Sequence, residues 1–145
     1  MSFPNRRGMV AALLALTGAS ASQAQAGASG LRVVYHLSDS DKVGFVLGNM
    51  QNHIKGVGGP ENIALALVVH GPALGAFKRM DENIAVSEPV AALLKSGVGF
   101  HACGNTLKGM KLSVADLLEG FVEVPEGGVV RLAALQSQGW IYLRP

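Results

Sequence analysis

Val98-Gly-Phe-His-Ala-Cys103, followed at once by Gly104-Asn-Thr106 and then Leu107-Lys-Gly-Met-Lys111, decides the architecture. An apolar run of strand length ends in a thiol and passes through a glycine into a segment of helical composition. That order is the carboxyl end of a strand feeding a helix, the βα unit of parallel sheets.

Working outward, the same order recurs. Leu31-Arg-Val-Val-Tyr-His-Leu37 is β-branched and apolar, and Ser38-Asp-Ser-Asp41 after it is rich in residues that cap helices. From Lys42 to Val57 the apolar positions Val43, Val46, Leu47, Met50 and Ile54 make a helical stripe, which Gly56-Val-Gly-Gly-Pro60 ends. Ile63-Ala-Leu-Ala-Leu-Val-Val-His70 is continuously apolar, as a strand covered on both faces must be. Gly71-Pro72 breaks it. A short helix is expected over Ala73 to Met80 and another over Pro89 to Lys95, with Pro89 as first helical residue and a loop from Asp81 to Glu88. Ser113-Val-Ala-Asp116 reads as a capping box opening a short helix over Val114 to Glu119. Phe121 to Val124 is a strand stopped by Pro125, Gly128 to Gln138 an amphipathic helix, and Trp140 to Leu143 a last strand. The expected fold is a single α/β domain with a five-stranded, mostly parallel sheet and helices on both faces.

Parallel sheets bind ligands beyond the carboxyl ends of their strands. The residues at those ends are His36, His70 and the run Cys103, Gly104, Asn105 and Thr106. His101 lies two residues before Cys103 and therefore on the same face of its strand. His53 falls inside the first helix, away from this edge, and is expected on the surface. Cys103 is the only cysteine. At a strand end, before the N–H groups of a helix start, its thiolate is favoured over the thiol, which makes it the candidate nucleophile. Gly104 permits close backbone approach, while Asn105 and Thr106 cap the helix or bond a ligand. The alternatives are a packed, inert thiol, or a non-catalytic module presenting Cys103, His36, His70 and His101 to a metal or small ligand. Their wide spacing assigns no metal, and no cofactor is called for. A dithiol oxidoreductase is excluded by the lack of Cys-x-x-Cys. A dinucleotide-binding turn is excluded by Leu37-Ser-Asp-Ser-Asp41, whose carboxylates repel a pyrophosphate.

The amino end bounds the setting. Arg6-Arg7, the apolar run Met9 to Leu16 and Ala24-Gln-Ala26 form the three parts of an export signal over residues 1–26, cleaved before Gly27. The mature domain is then residues 27–145, in the periplasm or secreted. The chain has 12 Lys and Arg against 10 Asp and Glu. Arg6 and Arg7 leave with the signal, so the mature part carries balanced charge and no basic footprint for nucleic acid. It also has no second apolar stretch long enough for a membrane span. The charged fraction is only 15%, which predicts surface buried between subunits.

Ala102-Cys-Gly-Asn-Thr-Leu107, Asp116-Leu-Leu118, Val124-Pro125, Val129 to Gln136 and the closing Gly139-Trp-Ile-Tyr-Leu-Arg-Pro145 stand in an order and spacing that resembles the DsrE/DsrF-like sulfur-relay family and its exported relatives. The resemblance is densest from Phe100 to Pro145. It implies a compact fold with a five-stranded sheet, and a homo-oligomer, trimer or hexamer, with the sheet-edge cysteine near an interface. It implies a persulfide carried at the position of Cys103, loaded by a sulfur donor and unloaded to an acceptor thiol protein. The chain departs from the classical relay proteins in its export signal and in lacking a second cysteine.

Overall fold

The computed structural model describes residues 30–145; the export signal read over residues 1–26 lies outside the described residues. Five strands form one sheet: β1 (Leu31–Leu37), β2 (Ile63–Val69), β3 (Gly99–Cys103), β4 (Phe121–Val124) and β5 (Ile141–Leu143). Their order is β4-β3-β2-β1-β5 and every pairing is parallel. The helices are α1 (Val43–Gly56), α2 (Ile84–Lys95), α3 (Gly104–Met110) and α4 (Gly128–Ser137).

The order explains the layers. From β1 to β4 the chain steps across the sheet in one direction. It then returns over the whole sheet to place β5 beside β1. Crossovers between parallel strands are right-handed, so a reversed step must run over the opposite face. Thus α1, α2 and α3 cover one face, while α4 lies on the other. The period-two alternation of each strand supplies both cores. On β1, Val33, Tyr35 and Leu37 point into the larger core with Val46, Leu47 and Met50 of α1, Val90 and Leu93 of α2, and Leu107 of α3. Val34 points the other way, joining Ala66 and Val68 of β2 with Leu132 and Leu135 of α4, against Trp140. Phe77, Phe100 and Phe121 pack with ring centroids 5.0–5.2 Å apart in the larger core, and Phe77 is fully buried.

The stripe read on α1 is the buried one: Val43, Val46, Leu47, Met50 and Ile54 face the core. The other helical expectations are partly corrected. Ala73 to Met80 is not an α-helix; a 3₁₀ helix spans Gly71–Phe77. Likewise, the helix expected over Val114 to Glu119 is a 3₁₀ turn, Val114–Asp116, with its capping box in place. α2 begins at Ile84, five residues before Pro89, so Pro89 lies inside the helix and not at its start. Asn83 Oδ1 accepts the Ala85 N–H at 3.0 Å and caps the earlier start, while Val86, Val90 and Leu93 on one face of the helix pack into the core. His53 is not free on the surface: its Nδ1 lies 2.9 Å from the Tyr35 hydroxyl.

Asn83→Ala should destabilise the fold by ~1 kcal/mol, read as a lower midpoint in urea. An unchanged midpoint would show that α2 starts by packing alone.

Candidate functional site

The reversal of the chain opens the sheet at one place. After β3 the chain turns into α3 on the large-core face; after the neighbouring β4 it turns into α4 on the other face. Adjacent strands whose exits diverge leave a crevice between them, and such crevices hold the ligands of open α/β sheets. Cys103, opposite Val124 in the register, stands at that crevice.

Gly104 fixes how tightly it closes. A Cβ there would lie 2.9 Å from the Val124 carbonyl oxygen and 3.0 Å from Glu123 Oε1 and from Pro125 Cα. Only glycine lets the two strand ends approach so closely. Gly128, the first residue of α4, has a similar role. Its missing Cβ would meet Cys103 Cβ and Val68 Cγ1 at 3.3 Å, and His70 Cβ at 3.4 Å. Because nothing fills that point, the first turn of α4 rests directly on the cysteine.

The thiol is consequently less open than its strand-end position suggested. Cys103 is only 6% exposed. The Cys103 side chain accepts no capping hydrogen bond at the start of α3. Burial pushes its pKa up, yet the nearby Gly128 N–H, Thr106 hydroxyl, and Thr106 and Asn105 N–H groups together hold it below the ordinary thiol value. Two chain segments, the starts of α3 and α4, thus bring polar groups near one atom. Thr106 also joins two strand ends, since its Oγ1 accepts the Gly71 N–H at 2.9 Å. Neither Asn105 nor Thr106 caps α3 with its side chain; Cys103 occupies the cap position itself.

The three histidines divide into two groups. His36 Nε2 and His70 Nε2 are 2.5 Å apart, and His36 Nδ1 is 2.6 Å from the Tyr142 hydroxyl. Burial, then His70 and Arg144, pull the pKa of His36 down to about 4 against the opposing charge of Asp39. Burial and Arg144 lower His70 as well. Both rings are therefore neutral near pH 7. Arg144 is held over them by hydrogen bonds to Ser38 Oγ at 2.9 Å and Asp39 Oδ2 at 3.3 Å. Asp39 thus engages Arg144 instead of capping the turn that opens α1. His101 stands apart. It and His36 both pair with Val68, so β2 separates them. His101 lines a groove of about 170 Å³ with Val122, Glu123, Val124, Glu126 and Arg131. Burial and the Arg131 guanidinium lower its pKa. Among the described residues, no three His, Cys, Asp or Glu side chains converge to hold a metal ion, so the reading of Cys103 and all three histidines as one ligand set gains no support.

Sequence reasoning missed four contributors: Gly128, Arg131, Tyr142 and Arg144. The last two lie in the Gly-aromatic-x-Tyr-x-Arg-Pro close of the chain, but only the placement of β5 beside β1 carries them to His36.

Fold and site together define a class: small parallel α/β proteins that hold one nearly buried cysteine where two strand exits diverge. Comparison with known proteins gives that class a family. The chain belongs to the DsrE/DsrF-like family, whose model matches residues 9–145 and whose members are implicated in sulfur relay. A solved structure similar to it, the protein of unknown function MTH1491 from Methanobacterium thermoautotrophicum, is 31% identical, with a TM-score of 0.69 over 79% of this chain and 99% of that one. The ychN protein from E. coli shares the fold at 17% identity, with a TM-score of 0.57 over 80% of this chain and 99% of its own. No curated protein matches the chain.

The cradle is testable with one hydroxyl. A hydrogen bond to a charged group is worth ~1.5–3 kcal/mol, so Thr106→Val should slow alkylation of Cys103 near neutral pH by roughly tenfold, and Thr106→Ser should restore it. Equal rates in both variants and the parent would remove Thr106 from the sulfur's environment.

Proposed function

We propose that this protein is an exported sulfur carrier that holds sulfane sulfur on Cys103 as a persulfide. The observation that carries this reading is one nearly buried sulfur seated where the starts of α3 and α4 meet, among N–H groups and a hydroxyl that lower its pKa. Such a cradle stabilises negative charge, on the thiolate first and then on the outer sulfur of the persulfide. The Cys103 thiolate attacks the outer sulfur of a small anionic donor such as thiosulfate. A new S–S bond forms, the donor's S–S bond breaks, and sulfite leaves with the electron pair. An acceptor thiolate then attacks the outer sulfur and Cys103 departs as thiolate. With one cysteine per chain, the acceptor belongs to another molecule.

A groove next to the crevice holds Arg131 together with Glu123 and Glu126, so Arg131 is, among the described residues, the one fixed cation along it that an anionic donor could meet. The groove runs along Val124, the register partner of Cys103, to Arg131. The Arg131 Nε is buried with no protein partner among the described residues. The proposed setting is the periplasm or the exterior, after cleavage before Gly27. The proposed assembly is a homo-oligomer, trimer or hexamer. Phe45, Ile84, Val122, Val129 and Val130, each more than half exposed, supply apolar surface for it.

Native mass spectrometry of the protein from its producing host tests all three parts. The expected results are a chain beginning at Gly27, a trimer or hexamer, and after thiosulfate or polysulfide treatment a gain of one sulfur atom per chain that reductant removes. Cys103→Ser should gain none. An unmodified parent, under conditions that load a control carrier, would reject sulfur carriage; an intact leader would reject export.

A further inference from the structure

Two sheltered imidazoles have no part in the sulfur chemistry above. Val34 and Val68 face α4. His36 lies two residues past Val34 and His70 two past Val68, so both rings rise from that face at the ends of adjacent strands. Their tips meet: His36 Nε2 and His70 Nε2 are 2.5 Å apart. The other ring nitrogen of His36, Nδ1, lies 2.6 Å from the Tyr142 hydroxyl. Neither ring is among the groups that set the pKa of Cys103.

A neutral imidazole nitrogen is the commonest metal ligand in proteins. Burial, helped by Arg144, keeps both rings free of a second proton near pH 7, so an ion binding there expels no net proton. The carboxyl ends of neighbouring parallel strands are also where this fold class takes its ligands. We propose that His36 and His70 form a binding site for a divalent transition-metal ion, zinc or copper, held through the two Nε2 atoms with water in its remaining positions. Two nitrogens on one tetrahedral zinc ion, each ~2.0–2.1 Å from it, stand ~3.3 Å apart. The two tips therefore part by less than an ångström, which the soft ring torsion of histidine accommodates. With the ion on Nε2, the His36 proton sits on Nδ1 and the Tyr142 oxygen accepts it, the outer-shell contact that metal-bound histidines keep. Among the described residues no third His, Cys, Asp or Glu joins the rings to complete a ligand set. The site is consequently open, and its ion exchangeable.

Two charged groups face the pair. Arg144, at the end of β5, acts on both rings, and Asp39, after β1, opposes it. They engage each other at 3.3 Å, so the carboxylate offsets part of the guanidinium charge. What remains of that charge weakens the hold on a cation. The proposal does not rest on the sulfur-carrier reading, since no step of it passes through Cys103.

The experiment is equilibrium dialysis of the untagged protein against Zn(II) near neutral pH, with Cys103→Ser as the reference chain so that the thiol takes no part. One ion per chain should bind. His36→Gln and His70→Gln should each abolish binding, with circular dichroism confirming that the fold is kept. Tyr142→Phe, which removes only the outer-shell hydroxyl, should weaken binding about tenfold, and Arg144→Gln should strengthen it. Cu(II) should bind more tightly than Zn(II), and its electron paramagnetic resonance spectrum should show two imidazole nitrogens. Zinc bound by the parent but not by Cys103→Ser would put the ion on the thiol and overturn the site, as would binding that survives both histidine substitutions. Should a histidine variant fail to fold, the other two decide: an affinity unmoved in both Tyr142→Phe and Arg144→Gln overturns it. Persulfide loading of the parent is read by mass without added metal, so failure of the metal site and failure of sulfur carriage give different results.

Discussion

The handedness of parallel crossovers is the constraint on which the rest depends. Three crossovers in one direction and one in the other place α4 alone on its face, and the exits of β3 and β4 part at Cys103. The first turn of α4 then has nowhere to go but over the sulfur, where Gly128 admits it. The donors that favour a thiolate therefore follow from topology. A sheet of the same strands with β5 added beyond β4 would send α4 over the other helices' face and leave the sulfur without Gly128.

Burial and charge work against each other at this atom, and the polar groups around it decide the outcome. A cysteine with 6% of its surface exposed would ordinarily behave as a small hydrophobe with a raised pKa. Here the donors of Gly128, Thr106 and Asn105 outweigh that penalty. The same low exposure restricts what can reach the sulfur. A small anion needs little room, whereas a disulfide on a folded partner needs an extended chain or a movement of the α4 start.

Much of this was legible in the chain. β1, β3 and β4 run over the residues their apolar patterns indicate, and the buried stripe of α1 matches its spacing. A strand running into a helix brings the Asn105 and Thr106 N–H groups near its last side chain, while the Gly104 N–H expected with them is not among the groups that lower the thiol's pKa. What stayed hidden is what depends on distance in space. Gly128 and Tyr142 are far from Cys103 and His36 in the chain, and no local pattern says that β5 lies beside β1. The start of α2 was misplaced because Pro89 is a strong local signal, while the Asn83 cap is an ordinary one. The burial of the sulfur under the first turn of α4 is likewise not legible, because a strand end says nothing of what the other side of the sheet lays upon it.

The contact between Gly104 and the Val124 carbonyl carries a consequence for reading sequence variation at this position. The residue after the cysteine invites interpretation as part of the chemistry, since it adjoins the reacting atom. Its identity is instead dictated by a neighbouring strand's main chain, which no reagent touches. A substitution there would wedge β4 away from β3 and loosen the edge of the sheet, so an inactive Gly104 variant reports on architecture and says little about how sulfur is handled.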